Sequence, residues 1–460
     1  MAEKEYKDMK RKDIVFKYFN EQKDYFENRV KKGIENYRKG DAEIEFVSSG
    51  NLPENITVEI EQTNHEFKFG ANIFMLDEFE TVEKNEIYRE KFPELFNLAT
   101  LPFYWNSLEP EKGNFRFDKN SPKIYRRPAI DLCLEYCEEK GIEPKAHCLN
   151  YDYMKPDWLR GAGIEEHKRE LEEHFKILAQ KYAHIIPTWE VTNETFNVTF
   201  AREFLDPNYS EFYRQKEFNE WSFKMADKYF PDNRLMINDH LDFGCMRSLY
   251  GEYFGERSPY YSEIERLGNI GVNHIDSIGF QYHCFFAPEK EKELNVTRYN
   301  PRYIYDVLDT YQKLGKKLQI TEMTVSAFSN REDDEEIQAE LIKNLYSVFF
   351  SHPAMEAVIY WNLVDGYASG GKVGEMSAGE NRYFGGLCNF NMKEKPAYKI
   401  LKNLINKEWH TSAVLKAVDG KVNFKGFYGD YKIKIFADGK EIPFVFKLSE
   451  NKSNEIIINL

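Results

Sequence analysis

The chain has 460 residues, 30% of them charged, with a formal net charge of −14. That balance speaks against nucleic acid and anionic membrane as partners, since both attract basic surfaces and repel acidic ones. The length exceeds one ordinary core, so two unequal domains are expected.

The start, Met1-Ala2-Glu3-Lys4-Glu5-Tyr6-Lys7, lacks the apolar segment of a signal peptide, and no apolar run of about 18 residues follows. A cytoplasmic location is expected, or secretion if a leader was removed. The six cysteines, Cys133, Cys137, Cys148, Cys245, Cys284 and Cys388, show neither disulfide-framework nor zinc-ligand spacing. They point to a reducing compartment and to no metal site, with Cys133 and Cys137 on one face of a helix as core thiols. The sequons at Asn55, Asn193, Asn197 and Asn295 then read as chance matches.

In the first 40 residues, Ile14, Tyr18, Tyr25, Phe26, Val30, Ile34 and Tyr37 recur among charges, which predicts one long amphipathic helix. Glu43–Val47 and Ile56–Glu61 read as strands without a helical partner. From Phe67 short apolar runs alternate with amphipathic stretches. The strands are Phe67–Phe74, Leu95–Thr100, Pro144–Leu149, Thr188–Asn193, Arg234–Asn238, Ser277–Tyr282, Leu318–Glu322 and Ala357–Leu363. Helices are predicted over Ile130–Glu139, Glu165–Tyr182, Glu211–Tyr229, Arg302–Leu314 and Glu335–Phe350. Eight such units, with no glycine-rich phosphate turn, predict a (β/α)8 TIM barrel over residues 67–410 rather than a doubly wound sheet. After the barrel the pattern alternates, in Lys421–Phe424, Tyr431–Phe436 and Glu455–Ile458, with a hairpin turn at Asp438-Gly439. Residues 411–460 together with 41–66 are expected to form a small β-sandwich-like domain, acting as a brace.

Two glutamates end β-rich stretches: Glu194 closes Trp189-Glu190-Val191-Thr192-Asn193-Glu194, and Glu322 follows Gln319-Ile320-Thr321. Barrel active sites lie at the carboxyl ends of the strands. Two carboxyls about 5–5.5 Å apart there would suit glycoside cleavage with retention, one protonating the leaving oxygen and the other attacking the anomeric carbon. His147 and His283 also fall at strand ends, with Gln281 two residues before His283 and so on the same side of its strand.

These blocks, in this order, resemble glycoside hydrolase family 10, the xylanase family, from about Phe67 to Leu404. The matching segments are Trp189–Glu194, Ile320–Glu322, Ile278–His283, Asn238-Asp239, and His147–Leu149 with Pro156-Asp157-Trp158; weaker echoes are Phe96-Asn97, Leu108–Phe115 and Lys395–Tyr398. The resemblance implies Glu194 as acid/base, Glu322 as nucleophile and His283 as the group that orients it. It further implies that Asn193 binds the sugar 2-hydroxyl, that His147 and Gln281 bind hydroxyls or the carboxylates, and that Trp361 floors the ring. No metal or other cofactor is implied.

The chain also departs from the family. Where the family carries a polar clamp for the second glycone sugar, this chain has Thr100–Asn106, so Tyr104 and Trp105 are expected to face substrate. Tyr151 replaces a tryptophan, Asp152 a histidine, and Thr324 an aspartate, so His283 should be less basic. Asp365–Gly379, rich in glycine, is expected to be mobile. The implied activity is retaining β-glycoside hydrolysis of the endo-1,4-β-xylanase type on β-linked oligosaccharides. Exo-acting cleavage of a small glycoside is the alternative, with transglycosylation or binding without cleavage behind it.

Overall fold

The computed structural model describes residues 10–195, 210–240, 243, 254–328, 333–450 and 452–460. Two strands precede the barrel, β1 (Lys39–Val47) and β2 (Thr57–His65). The barrel strands are β3 (Lys68–Asn72), β4 (Leu98–Pro102), β5 (Glu143–His147), β6 (Thr188–Asn193), β7 (Arg234–Asp239), β8 (Ser277–His283), β9 (Lys317–Thr324) and β10 (Met355–Tyr360). They close in sequence order, β10 pairing with both β9 and β3, all parallel. The molecule is therefore a TIM barrel carrying extra β-sheets. β4 is buried at every residue, as a parallel strand covered on both faces must be.

Some boundaries move. β4 begins at Leu98 because Phe92, Leu95 and Phe96 round off the preceding helix instead, Phe96 N–H bonding to the Phe92 carbonyl. Glu211–Tyr229 divides into a 3₁₀ turn at Glu211–Arg214 and a helix at Phe218–Tyr229.

The N-terminal segment is not one long helix. It breaks into Arg11–Val15, Lys17–Glu21 and Lys23–Tyr37. The break at Phe16 turns Val15, Phe16 and Phe19 onto the barrel, where all three are buried. Arg11 anchors this segment, its guanidinium lying 2.8 Å from Glu291 and 2.7 Å from Asp334.

The last strands are β11 (Ser412–Lys416), β12 (Lys421–Phe427), β13 (Gly429–Ala437), β14 (Lys440–Leu448) and β15 (Glu455–Asn459). They take the two early strands into two sheets, β12-β1-β15 and β11-β2-β13-β14. Alternate residues such as Ile44, Val58, Ile60, Ile433 and Ile435 fill the core between the sheets. Asp438 and Gly439 both have positive φ, 49° and 75°, the backbone that a two-residue hairpin between β13 and β14 requires. Phe427, Phe69, Phe350 and Trp409 join this unit to the base of the barrel, with Phe350 and Trp409 stacked at 4.3 Å. Among the described residues no helix is long and apolar enough to cross a membrane.

Candidate active site

β6 carries Glu190, Asn193 and Glu194 into the barrel mouth. A regular strand would point residues 190 and 193 to opposite faces. A register shift between Glu190 and Thr192 in the β6–β7 pairing removes that conflict. Both side chains then meet Asn238 of β7, whose Nδ2 donates to Asn193 Oδ1 at 2.9 Å and to Glu190 Oε2 at 3.3 Å. Glu194 follows with φ 51°, a left-handed backbone rarely adopted outside glycine, and its N–H is tied to the Asn238 carbonyl at 3.1 Å.

Glu322 lies one strand pair away. A shift between Phe280 and Gln281 sets Gln281 of β8 directly opposite it. Gln281 Nε2 donates to Glu194 Oε1 at 3.1 Å and to Asn193 Oδ1 at 3.2 Å. Glu322 Oε1 accepts from Asn238 Nδ2 at 3.2 Å, and its Oε2 is 3.1 Å from His283 Nε2. Asn238 can span the mouth because position 279 is glycine; a Cβ there would stand 2.5 Å from Asn238 Oδ1 and 2.7 Å from Thr321 Cγ2. Thr321 Oγ1 in turn donates to Asn238 Oδ1 at 2.7 Å, which fixes the orientation of the amide.

Burial sets the charges. Glu322 is 4% exposed. Burial pushes its carboxyl up to about 8; Glu190 and Glu194 add repulsion, while His147 and Lys145 oppose. The two donors on Glu322, Asn238 Nδ2 and His283 Nε2, favour its charged form and work against that rise. His283 is drawn down to about 4 by burial, hence neutral, with Nδ1 3.0 Å from Thr324 Oγ1.

Beneath the pair is a buried charge cluster. Glu190 is ion-paired with Lys145 of β5 and lies 2.6 Å from His147 Nδ1. Burial alone would raise Glu190, yet Lys145 and His147 outweigh it and hold the carboxyl down to about 2. Burial likewise works against a charged His147, but Glu190 overcomes it and raises the imidazole.

A wall of rings stands beside this floor. Trp361 lies 5.6 Å from His147 and 5.8 Å from His283; Tyr104 lies 5.3 Å from His147, and Phe74 touches both Tyr104 and Trp361. Tyr151 packs at its margin, 6.5 Å from Tyr104. Trp105 does not reach the site. Its ring stacks on His174 at 4.6 Å and its Nε1 donates to Glu109 Oε2 at 2.9 Å, because the turn after Tyr104 points it into the helix layer. Asp365–Gly379 is pinned rather than loose: Asp365 accepts from Gly386 N–H at 2.7 Å and from Lys395 at 3.1 Å, and Tyr367 is buried with its hydroxyl on Glu80.

Nine of the ten side chains that the sequence points to, all but Trp105, therefore gather here or at the margin. The sequence leaves Lys145, Glu190, Asn238 and Phe74 without roles. Lys145 and His147, two apart in an otherwise apolar strand, were the available signal for the first of these. Cys245 and the Asn197 sequon lie outside the described residues. Among the described residues no three His, Cys, Asp or Glu side chains are grouped to hold a metal ion.

With this geometry in view, the chain can be compared with known proteins. It is 24% identical to anti-sigma-I factor RsgI6 of Acetivibrio thermocellus, over 88% of this chain and 46% of that one, so it spans about half the length of that relative. It is 25% identical to the beta-1,4-xylanase of Dictyoglomus thermophilum, over 57% of this chain and 72% of the relative. Xylanase 10B from Thermotoga petrophila RKU-1, solved in complex with xylobiose, superimposes with a TM-score of 0.54 at 22% identity. That alignment covers 75% of this chain and 95% of the xylanase, and the likeness shows the barrel fold. The family model for glycosyl hydrolase family 10 matches residues 61–404, three quarters of the chain and all eight barrel strands, and the chain belongs to that family.

Proposed function

We propose that this chain is a retaining β-glycoside hydrolase of the endo-1,4-β-xylanase type, acting on short β-linked oligosaccharides. The observation that carries the reading is the linked carboxyl pair: Glu194 after β6 and Glu322 near the end of β9, tied across the intervening β7 and β8 through Asn238, Gln281 and Asn193. In the first step the Glu322 carboxylate attacks the anomeric carbon while Glu194 gives its proton to the departing glycosidic oxygen. In the second, Glu194 takes a proton from water, which displaces Glu322 and returns the sugar with its configuration retained. His283 holds Glu322 through Nε2–H, its other nitrogen engaged by Thr324. Asn193 has its oxygen occupied by two donors, so its amide nitrogen is the end available to a sugar 2-hydroxyl. Trp361 and Tyr104 supply apolar faces for the ring. The names of the xylanase relatives support xylan-type chains.

A second reading, cleavage of small glycosides, is favoured by one observation. The Pro102–Trp105 stretch brings only the Tyr104 ring to the site, while Phe103 and Trp105 are sunk in the core. We further propose that residues 41–66 with 411–460 brace the barrel base rather than bind sugar.

The test is at Glu322. Glu322→Ala should abolish turnover, and added azide should restore it with release of a glycosyl azide of inverted configuration. Wild-type turnover in Glu322→Ala without azide would overturn the assignment.

A further inference from the structure

Two cations beside the aromatic wall have no part in this mechanism. Arg126 and Arg127 lie between β4 and the helix Ile130–Lys140, in a loop on the carboxyl side of the barrel. Arg126 has φ 61°, a left-handed conformation seldom adopted by residues with side chains. Both guanidiniums lie against the Phe74 ring, at 5.7 Å and 5.5 Å. Arg127 also lies 4.0 Å above the Tyr104 ring.

Arg126 is buried and held in place, donating to Asn362 Oδ1 at 3.1 Å and to the Tyr367 carbonyl. Arg127 is half-buried and donates one bond, from Nη1 to the Arg126 carbonyl at 2.8 Å. Among the described residues neither guanidinium forms an ion pair with a carboxylate, although the chain has 77 acidic residues. Burial draws Arg127 down to about 10; Tyr104 opposes this, and a smaller repulsion from Arg126 adds to it. Like charges placed side by side and partly out of water are unfavourable unless an anion joins them. The rings cover one face of Arg127. The edge of its planar fork remains, and that edge matches a carboxylate with two parallel N–H bonds.

We propose that Arg127, with Arg126 behind it, binds a carboxylate on the substrate, so that the subsite against Tyr104 takes a sugar bearing a uronic acid. This rests on the proposed glycosidase reading for its place in a reaction, and the test separates the two. Binding is measured by calorimetry on the Glu322→Gln protein, using xylotriose and xylotriose carrying one glucuronic acid. Free glucuronate and inorganic phosphate are titrated beside them.

The acidic trisaccharide should bind on the order of 10- to 100-fold more tightly than the neutral one, the range for hydrogen bonds to a charged group. The advantage should shrink as salt is raised. Adding Arg127→Gln should bring the two affinities together, and Arg127→Lys, which keeps the charge but loses the fork, should retain part of the difference. Equal affinities in the starting protein, or a preference that survives Arg127→Gln, would overturn the proposal. Displacement by phosphate but not by glucuronate would overturn the carboxylate assignment. If Arg127→Gln does not fold, Arg127→Lys and the salt dependence decide. Should wild-type protein cleave neither sugar while the binding preference stands, the glycosidase reading falls and the anion site remains.

Discussion

At the floor of the barrel mouth, Glu190, Glu194 and Glu322 are met by donors from three strands, β5, β7 and β8, and the amides of Asn193, Asn238 and Gln281 bond to one another. On the wall a few ångströms away, Phe74, Tyr104 and Trp361 meet edge to face at 5.4–5.7 Å, with Arg127 lying on Tyr104. The floor is a mesh in which removing any member leaves a buried charge or amide without its partner. The wall is held by ring contacts, which tolerate exchange of one apolar shape for another. On the proposed function, reaction chemistry and substrate choice would thus be built from separable parts, and the second could change while the first is kept.

Breaking the floor should have the largest effects. Glu194→Ala should slow cleavage of unactivated glycosides by on the order of 10²–10⁴-fold, the usual worth of general acid catalysis, while aryl glycosides with good leaving groups keep most of their glycosylation rate. Equal losses on both substrate types, measured as kcat/KM, would remove Glu194 from that role.

Glu190→Gln tests the floor through stability. It leaves Lys145 and His147 without their anion, and breaking a buried pair in this way costs about 3–5 kcal/mol in denaturant unfolding. The carboxyl is depressed in the fold, so its contribution is present above the unfolded value of 4.5 and is lost as pH falls toward 2. Wild-type stability should therefore drop over that window and the variant's drop should be smaller; parallel curves would argue against the ion cluster.

A smaller effect concerns pH and rate. Glu322 is pushed up to about 8, and as the proposed nucleophile it would have to lose its proton to attack. With an aryl glycoside that needs no acid, kcat/KM should rise with pH along a limb lying well above the ordinary carboxylate range of about 4.3. A limb at or below pH 5 would mean that the donors on Glu322 overcome its burial.

The smallest effect belongs to the wall. With rings where a polar clamp would hold the second sugar, kcat/KM should rise by less than about 10-fold from a disaccharide to a hexasaccharide, since distant sugars raise that ratio only through contacts made. A rise of several hundred-fold would show that other side chains grip the chain and that wall and floor are less separable than they look.

The eight βα units were legible because parallel strands and their covering helices leave apolar runs of distinct period, and the strand-end glutamates stood out against them. The mesh was not. Whether Glu190 and Asn193 share a side of β6 depends on a register shift that no pattern of residue types records. Trp105 misled for a related reason: one residue along a turn separates a ring in the mouth from a ring in the helix layer, and only its contacts with His174 and Glu109 decide between them. The N-terminal periodicity ran through Phe16, but the chain turns there to bury adjacent apolar side chains that a straight helix would splay apart.

The pairing of β2 with β13 matters for how the chain is made. Ile60 lies opposite Ile433 and Val58 opposite Ile435, so β2 leaves the ribosome about 360 residues before its partner exists. At translation rates of about 5–20 residues per second it waits roughly 20–70 s with both edges open, while the whole barrel emerges behind it. Its exposed positions are Glu59, Glu61 and Thr63, a charged and polar row that discourages other strands from pairing in the interval.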